Sequence, residues 1–346
     1  MKFLIFLCFS IALFSEINLR DFEELEEIAN FKDGLSDRDT DLLRRVKSAY
    51  LQSVDKIFDT QNTKNIIPHV VHVIWLGPRS FPMGSIENMR HWQILHPDWK
   101  FKFWSDRERI PPTEGMEIHY FDEFPLTRLR SCYEASENWG EKSDILRYEI
   151  LNAEGGIYID HDADCLKSFD AITKNFGFFV GLEPPHASID NRGITLGIGI
   201  IGSRKGHPYV KEAIDYIDHN FRKVEESFES DQPLSRGGLV LHRTYIALSH
   251  VIFGKEAYED DLLLLPAKYF YPSPKQNGIL SKHYYGSTWF RNDTWEWQLG
   301  EELGLMKLKL RHFINFFIFS GLLTLFIIFI IYLTIGKNRN EKKLSL

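Results

Sequence analysis

The sequence predicts an α/β protein, and three observations carry that prediction. Short apolar runs bounded by turn residues recur along the chain, at 69–76, 101–104, 157–159, 178–182, 198–202 and 262–265, each with the length and composition of a strand covered on both faces. Stretches of helical period lie between them, at 85–96, 144–151, 208–222 and 235–251. The run at 69–76 ends in Gly77-Pro78, a break that places a loop at the carboxyl end of a strand, where open α/β sheets hold their ligands.

Composition agrees with a folded protein. Hydrophobic residues make 44% and charged residues 26% of the 346 positions. The net charge of −7 leaves no basic footprint and argues against a nucleic-acid partner. Cys8, Cys132 and Cys165 are too few for a disulfide framework, and with Cys8 in a leader-like segment the reading is two free thiols.

Taken in order, residues 1–18 read as a signal peptide or signal anchor, because Lys2 precedes an apolar run. Residues 19–65 carry two helical stripes separated near Gly34, a helical stalk or collar. Residues 66–300 hold the strands and form the catalytic-size domain. A 23-residue stretch without charge, 313–335, is long enough to span a bilayer as a helix, and a basic tail follows at 336–346. Lysine and arginine on that tail lean toward a cytoplasmic tail and a luminal domain, which the sequon at Asn292 fits.

The chemistry concentrates in 142–170. Ser143 reads as a helix N-cap, Gly155-Gly156 as the stop, and Ile157, Tyr158 and Ile159 as a buried strand. The chain leaves that strand through Asp160, His161, Asp162, Ala163 and Asp164. Acids this close repel unless a cation neutralises them, so Asp160 and Asp162 read as a metal site. Asp144 and Arg147, three apart on one helix face, are placed to pair or to meet a ligand. A calcium loop starting at Asp160 fails, since its sixth and twelfth positions are Cys165 and Ala171. Asp164 then reads as solvent-facing or capping, and His161 as pointing away from the acids. Gly197, Gly199 and Gly202 spell a dinucleotide fingerprint but fall inside an apolar run instead of opening a helix, so that reading is set aside.

With K-S-D-x-x-R-Y, G-G-I-Y and D-x-D in place, the chain resembles the DXD-type glycosyltransferases related to yeast initiation α-1,6-mannosyltransferases and inositol-phosphorylceramide mannosyltransferases, the glycosyltransferase family 32-like group. Large clostridial glucosylating toxins share the layout. The resemblance runs from about residue 66 to 289 and is most specific from Asp144 to Asp162. It implies a GT-A type fold, a Rossmann-like mixed sheet flanked by helices, with a nucleotide-sugar donor and Mn²⁺ or Mg²⁺. It also implies roles for residues. Asp162 ligates the metal, with His283 and Asp160 beside it. Asp144, Arg147, Tyr158 and Asp160 form the donor sugar and diphosphate pocket, and Trp75 stacks on the nucleobase. His283, Ser287 and Trp289 form a C-terminal element closing on metal and diphosphate. Ser235-Arg236-Gly237-Gly238 departs from the family's turn before its C-terminal helix, which puts acceptor geometry in question.

The expectation is a membrane-anchored, metal-dependent, retaining transferase. It would move a hexose, mannose from GDP-mannose in the first instance, to a glycolipid or glycan acceptor such as inositol phosphorylceramide. The setting would be Golgi or ER if the source is eukaryotic. The alternatives are a silent glycan- or nucleotide-binding membrane protein of the same fold, and a metal-dependent hydrolase that lacks a clear general base.

Overall fold

Strands and helices alternate as the periodicity requires. The computed structural model describes residues 17–28, 35–184, 193–228 and 240–286. In chain order the elements are α1 (Phe22–Leu25), α2 (Asp37–Ser53), β1 (Val70–Ile74), α3 (Ile86–Leu95), β2 (Lys100–Ser105), β3 (Glu117–Tyr120), α4 (Arg130–Ala135), α5 (Trp139–Ala153) and β4 (Gly156–Ile159). There follow β5 (Ala163–Cys165), α6 (Asp170–Asn175), β6 (Phe178–Leu182), β7 (Leu196–Ser203), α7 (Pro208–Phe228), α8 (Ala247–Phe253), β8 (Leu262–Leu265) and β9 (Ser281–His283).

Seven strands form one sheet in the order β3-β2-β1-β4-β7-β6-β8, while β5 and β9 pair as a separate ribbon. Strands β3, β2, β1 and β4 run parallel, β7 lies antiparallel to both β4 and β6, and β6 is parallel to β8. This is the mixed sheet flanked by helices that the family resemblance implies. Every residue of β4, β6, β7 and β8 is buried, so these strands need cover on both faces, and uninterrupted apolar runs supply it. Helix α5 packs on β1, β4 and β7, and α7 packs on α5 and α8. β7 alone runs against the other six strands, and it lies next to β4, where the acidic stretch leaves the sheet.

Helix α5 begins four residues before the capping site read from sequence. Asn138, not Ser143, caps it, accepting from the backbone N–H of Gly140 at 2.8 Å and Glu141 at 3.2 Å. An asparagine in extended conformation offers the same acceptor one turn earlier, so Ser143 lies inside the helix. The stop is where the glycines place it. Gly155 and Gly156 have φ of 72° and 103°, and a Cβ on either would sit 2.6 Å from the backbone of Lys205 or Val70. Only glycine fits that turn into β4.

The expected helix at 235–251 is observed as a π-helical turn, Leu241–Tyr245, followed by α8; residues 229–239 lie outside the described residues. Strands β3, β5 and β9 escaped the sequence reading because they are three or four residues long and, in β3, half-exposed. Residues 37–53 lie against β8, and the Tyr50 hydroxyl meets that of Tyr269 at 2.9 Å. Cys132 and Cys165 are free and buried. Among the described residues no helix is long and apolar enough to cross a membrane; the apolar segments at 1–16 and 313–335 lie outside them.

Candidate active site

Three side chains from distant parts of the chain meet at the carboxyl end of β4. Asp160 follows the last residue of β4, and its backbone N–H donates to Gly199 O at 2.7 Å. Asp162 sits two residues on, in the turn before β5. His283 arrives because β9 pairs antiparallel with β5, setting His283 opposite Ala163. His283 Nε2 lies 3.3 Å from Asp160 Oδ2 and 3.3 Å from Asp162 Oδ1. One ligand atom from each residue falls within 4.8 Å of the other two. Gly199 leaves room in front of them, since a Cβ there would sit 2.8 Å from Asp160 Oδ2 and 2.9 Å from His283 Nε2. Two carboxylates and one imidazole around a glycine-cleared space fit a divalent cation that accepts oxygen and nitrogen ligands.

The surrounding groups fix charge at this point. Burial alone would raise the Asp160 carboxyl, but Arg147 and His283 outweigh it and hold it at about 2. Burial pulls His283 down, yet Asp162 and Asp160 push it up to about 9. Without a metal, the imidazolium is thus the countercharge to the two acids. Tyr158, two residues before, donates its hydroxyl to Asp160 Oδ1 at 2.6 Å. The backbone N–H of Gly286 donates to Asp162 Oδ2, and that of Tyr284 to Asp162 O at 2.9 Å.

Behind the acids, Arg147 is nearly fully buried. It lies 2.6 Å from Asp144 Oδ1, donates to Ile198 O at 2.6 Å, and reaches within 3.6 Å of Asp160 Oδ1. Its guanidinium stacks 4.1 Å from the Tyr158 ring centroid. In this structure the fork expected to hold a diphosphate faces protein groups instead. Asp144 also accepts from the Thr244 hydroxyl at 2.8 Å, and burial raises its carboxyl to about 6 against the pull of Arg147.

Other sequence candidates fall elsewhere. Trp75 is in the core, 7% exposed, edge-on to His161 at 4.9 Å and Phe81 at 5.6 Å; its indole donates to Arg79 O at 2.9 Å. Asp164 was expected at the surface or as a cap, and it is neither. It is 7% exposed and bonded to His91 Nδ1 at 2.7 Å, because β5 turns its side chain toward α3. His161 turns from the acids to Ser85 Oγ at 2.8 Å. Ser287 and Trp289 lie outside the described residues. Sequence reasoning missed Thr244, Gly199 and Gly286, whose contribution exists only through contacts of long sequence separation.

Residues 82–178 match the family model described as the glycosyltransferase sugar-binding region containing the DXD motif, and that span includes Asp144, Arg147, Asp160 and Asp162. Over those residues the chain is similar to the family of DXD-containing glycosyltransferases. Members take a nucleotide-sugar donor and usually a divalent metal. The chain is 24% identical to inositol phosphoceramide mannosyltransferase 3 of Schizosaccharomyces pombe over 289 residues, covering 80% of this chain and 69% of that enzyme. It is 31% identical over 174 residues to the subversion of eukaryotic traffic protein A of Legionella pneumophila, covering 46% of this chain and only 26% of the bacterial protein. A solved structure, the PaToxG glycosyltransferase, aligns with a TM-score of 0.42 and 20% identity over 62% of this chain and 80% of its own.

Proposed function

We propose that this glycosyltransferase moves a hexose from a nucleotide sugar to a hydroxyl of a glycolipid or glycan, with retention of configuration, using a divalent metal, Mn²⁺ or Mg²⁺, at Asp160, Asp162 and His283. The convergence of these three side chains on a space that Gly199 keeps clear carries the proposal. Mannose from GDP-mannose and a sphingolipid acceptor of the inositol phosphorylceramide kind are the first substrates to try, because the similar fission yeast protein bears that name. The apolar segment at 313–335 would hold the site beside lipid headgroups.

The bound cation would neutralise the charge that grows on the nucleoside diphosphate as the glycosidic bond breaks. The protein's own groups prepare that event. Arg147 keeps Asp160 ionised, and Asp144, Thr244 and the Tyr158 ring keep Arg147 in place. Tyr158 and the Gly286 N–H orient the two carboxylates, leaving their other oxygens toward His283. Preorganised charge of this kind is the main means of stabilising such a leaving group.

The test is hydrolysis and transfer across a panel of GDP- and UDP-sugars with and without Mn²⁺. Asp162→Asn and Asp160→Asn should each lower turnover by at least about 100-fold. Undiminished activity in both variants, or in chelator, would sink the assignment.

A further inference from the structure

A further carboxylate lies at the carboxyl end of β6, across β7 from Asp160. Glu183 follows β6, and its N–H donates to Thr195 O at 2.9 Å, extending the ladder by one bond. Gly181 and Glu183 share a face of β6 by strand alternation. A Cβ on Gly181 would meet Tyr271 Cε2 at 3.1 Å, one on Gly197 would meet the same ring at 2.4 Å, and one on Gly199 would meet His283 and Asp160. The missing Cβ atoms let Tyr271 and His283 pack directly on the strands, between Asp160 at one end and Glu183 at the other.

Glu183 is half-buried and accepts a hydrogen bond from the Tyr245 hydroxyl through Oε1; Oε2 has no partner among the described residues. Tyr245 closes the π-helical turn Leu241–Tyr245, and Thr244 of that turn bonds Asp144. One irregular turn, a geometry frequent at functional sites, thus braces Asp144 on one side and Glu183 on the other. Beyond Glu183, Glu26 is fully buried, accepts from Ala267 N–H through Oε2 at 2.7 Å, and has no partner for Oε1 among the described residues. It also feels the Glu183 charge. The three metal-site side chains need neither glutamate, and the two carry acceptor oxygens without a partner among the described residues.

We propose that Glu183, positioned by Tyr245, contacts the hydroxyl-rich acceptor, a sugar or cyclic polyol, and aligns it against the donor held at Asp160. This rests on the functional reading above. In the transfer, the bond from the anomeric carbon to the diphosphate oxygen breaks, a bond to the acceptor oxygen forms, and the proton of the acceptor hydroxyl passes to the departing diphosphate oxygen. Glu183 accepts hydrogen bonds from acceptor hydroxyls while this happens.

The experiment compares donor hydrolysis in water with transfer to methyl α-mannoside and to myo-inositol, using the full chain in detergent. In Glu183→Gln, kcat/KM for transfer should fall about 10- to 100-fold, as for a lost hydrogen bond to a charged group. The acceptor KM should rise, and the loss should exceed any loss in hydrolysis by at least about tenfold. Tyr245→Phe should move the same acceptor KM by less. Parallel losses in hydrolysis and transfer would assign Glu183 to the donor side or to folding, and undiminished transfer, or a wild type that hydrolyses donor but transfers to neither probe, would overturn the proposal. A wild type that hydrolyses no donor at all would overturn the functional reading itself.

Discussion

At the scale of single residues, His72 shows how a buried polar group can be fully specified by its neighbours. It is fully buried in β1. Its Nδ1 accepts from the Trp104 indole N–H at 3.2 Å, and Nε2 lies 2.8 Å from Gly155 O. An indole only donates and a carbonyl only accepts, so the imidazole must be neutral with its proton on Nε2. Burial then lowers its pKa from 6.5 to about 4. The sign follows by linkage: between these values the unfolded chain binds the proton and the folded one does not, so stability is complete above pH 6.5 and falls as the pH drops toward 4. A shift of that size corresponds to about 3 kcal/mol. Urea midpoints of the wild type and His72→Gln, measured from pH 7.5 to 4.5, should converge as the pH falls. A difference that stayed constant across that range would refute the neutral-imidazole assignment. The same logic, with the sign of the partner reversed, accounts for Asp160, whose carboxyl stays ionised because Arg147 is locked beside it.

At the scale of elements, two of the three glycines of β7 have roles that should separate cleanly. A Cβ on Gly202 would lie 2.0 Å from the Phe179 ring, whereas one on Gly199 would project at Asp160 and His283. Gly202→Ala should therefore destabilise by about 1–3 kcal/mol through overpacking, visible as a lowered thermal midpoint. Gly199→Ala should fold with little change in midpoint and lose metal binding by calorimetry, because the methyl occupies the space between the ligands. Equal melting losses and retained metal binding in both would contradict the geometry. These elements also show what a sequence can disclose. The glycine stop, the strand after it and the acids at its end are neighbours in the chain, so local pattern exposes them. Asp144 and Arg147 are likewise one helical turn apart. His283 reaches Asp162 only through the pairing of β5 with β9, two strands of three residues each, and such strands carry no readable period. Glu183, Thr244 and Tyr245 have no local signal, since each acquires its partner across 62 to 100 residues. Asp164 was misjudged for the same reason, its partner His91 lying 73 residues away.

At the scale of the whole molecule, the element that completes the site also leads toward the apolar segment. β9 ends at His283, and the 23 uncharged residues of 313–335 begin 27 positions after Gly286. As a helix they would measure about 35 Å, enough for a hydrocarbon core of about 30 Å. The intervening chain can reach at most about 90 Å when extended, so a span at 313–335 would confine the site to the membrane surface and raise the effective concentration of a lipid acceptor. The full chain should accordingly stay with membranes after alkaline carbonate washing, while residues 19–300 alone should appear in the supernatant. That shortened protein should hydrolyse donor with the same metal dependence and transfer normally to soluble acceptors. Its transfer to an inositol phospholipid acceptor in vesicles should fall by about 100-fold or more, the loss expected when an intramolecular encounter becomes bimolecular. Release of the full chain by carbonate would remove the anchor. Retention of residues 19–300 on the vesicles would move the membrane contact from the terminal segment to the surface of the folded domain.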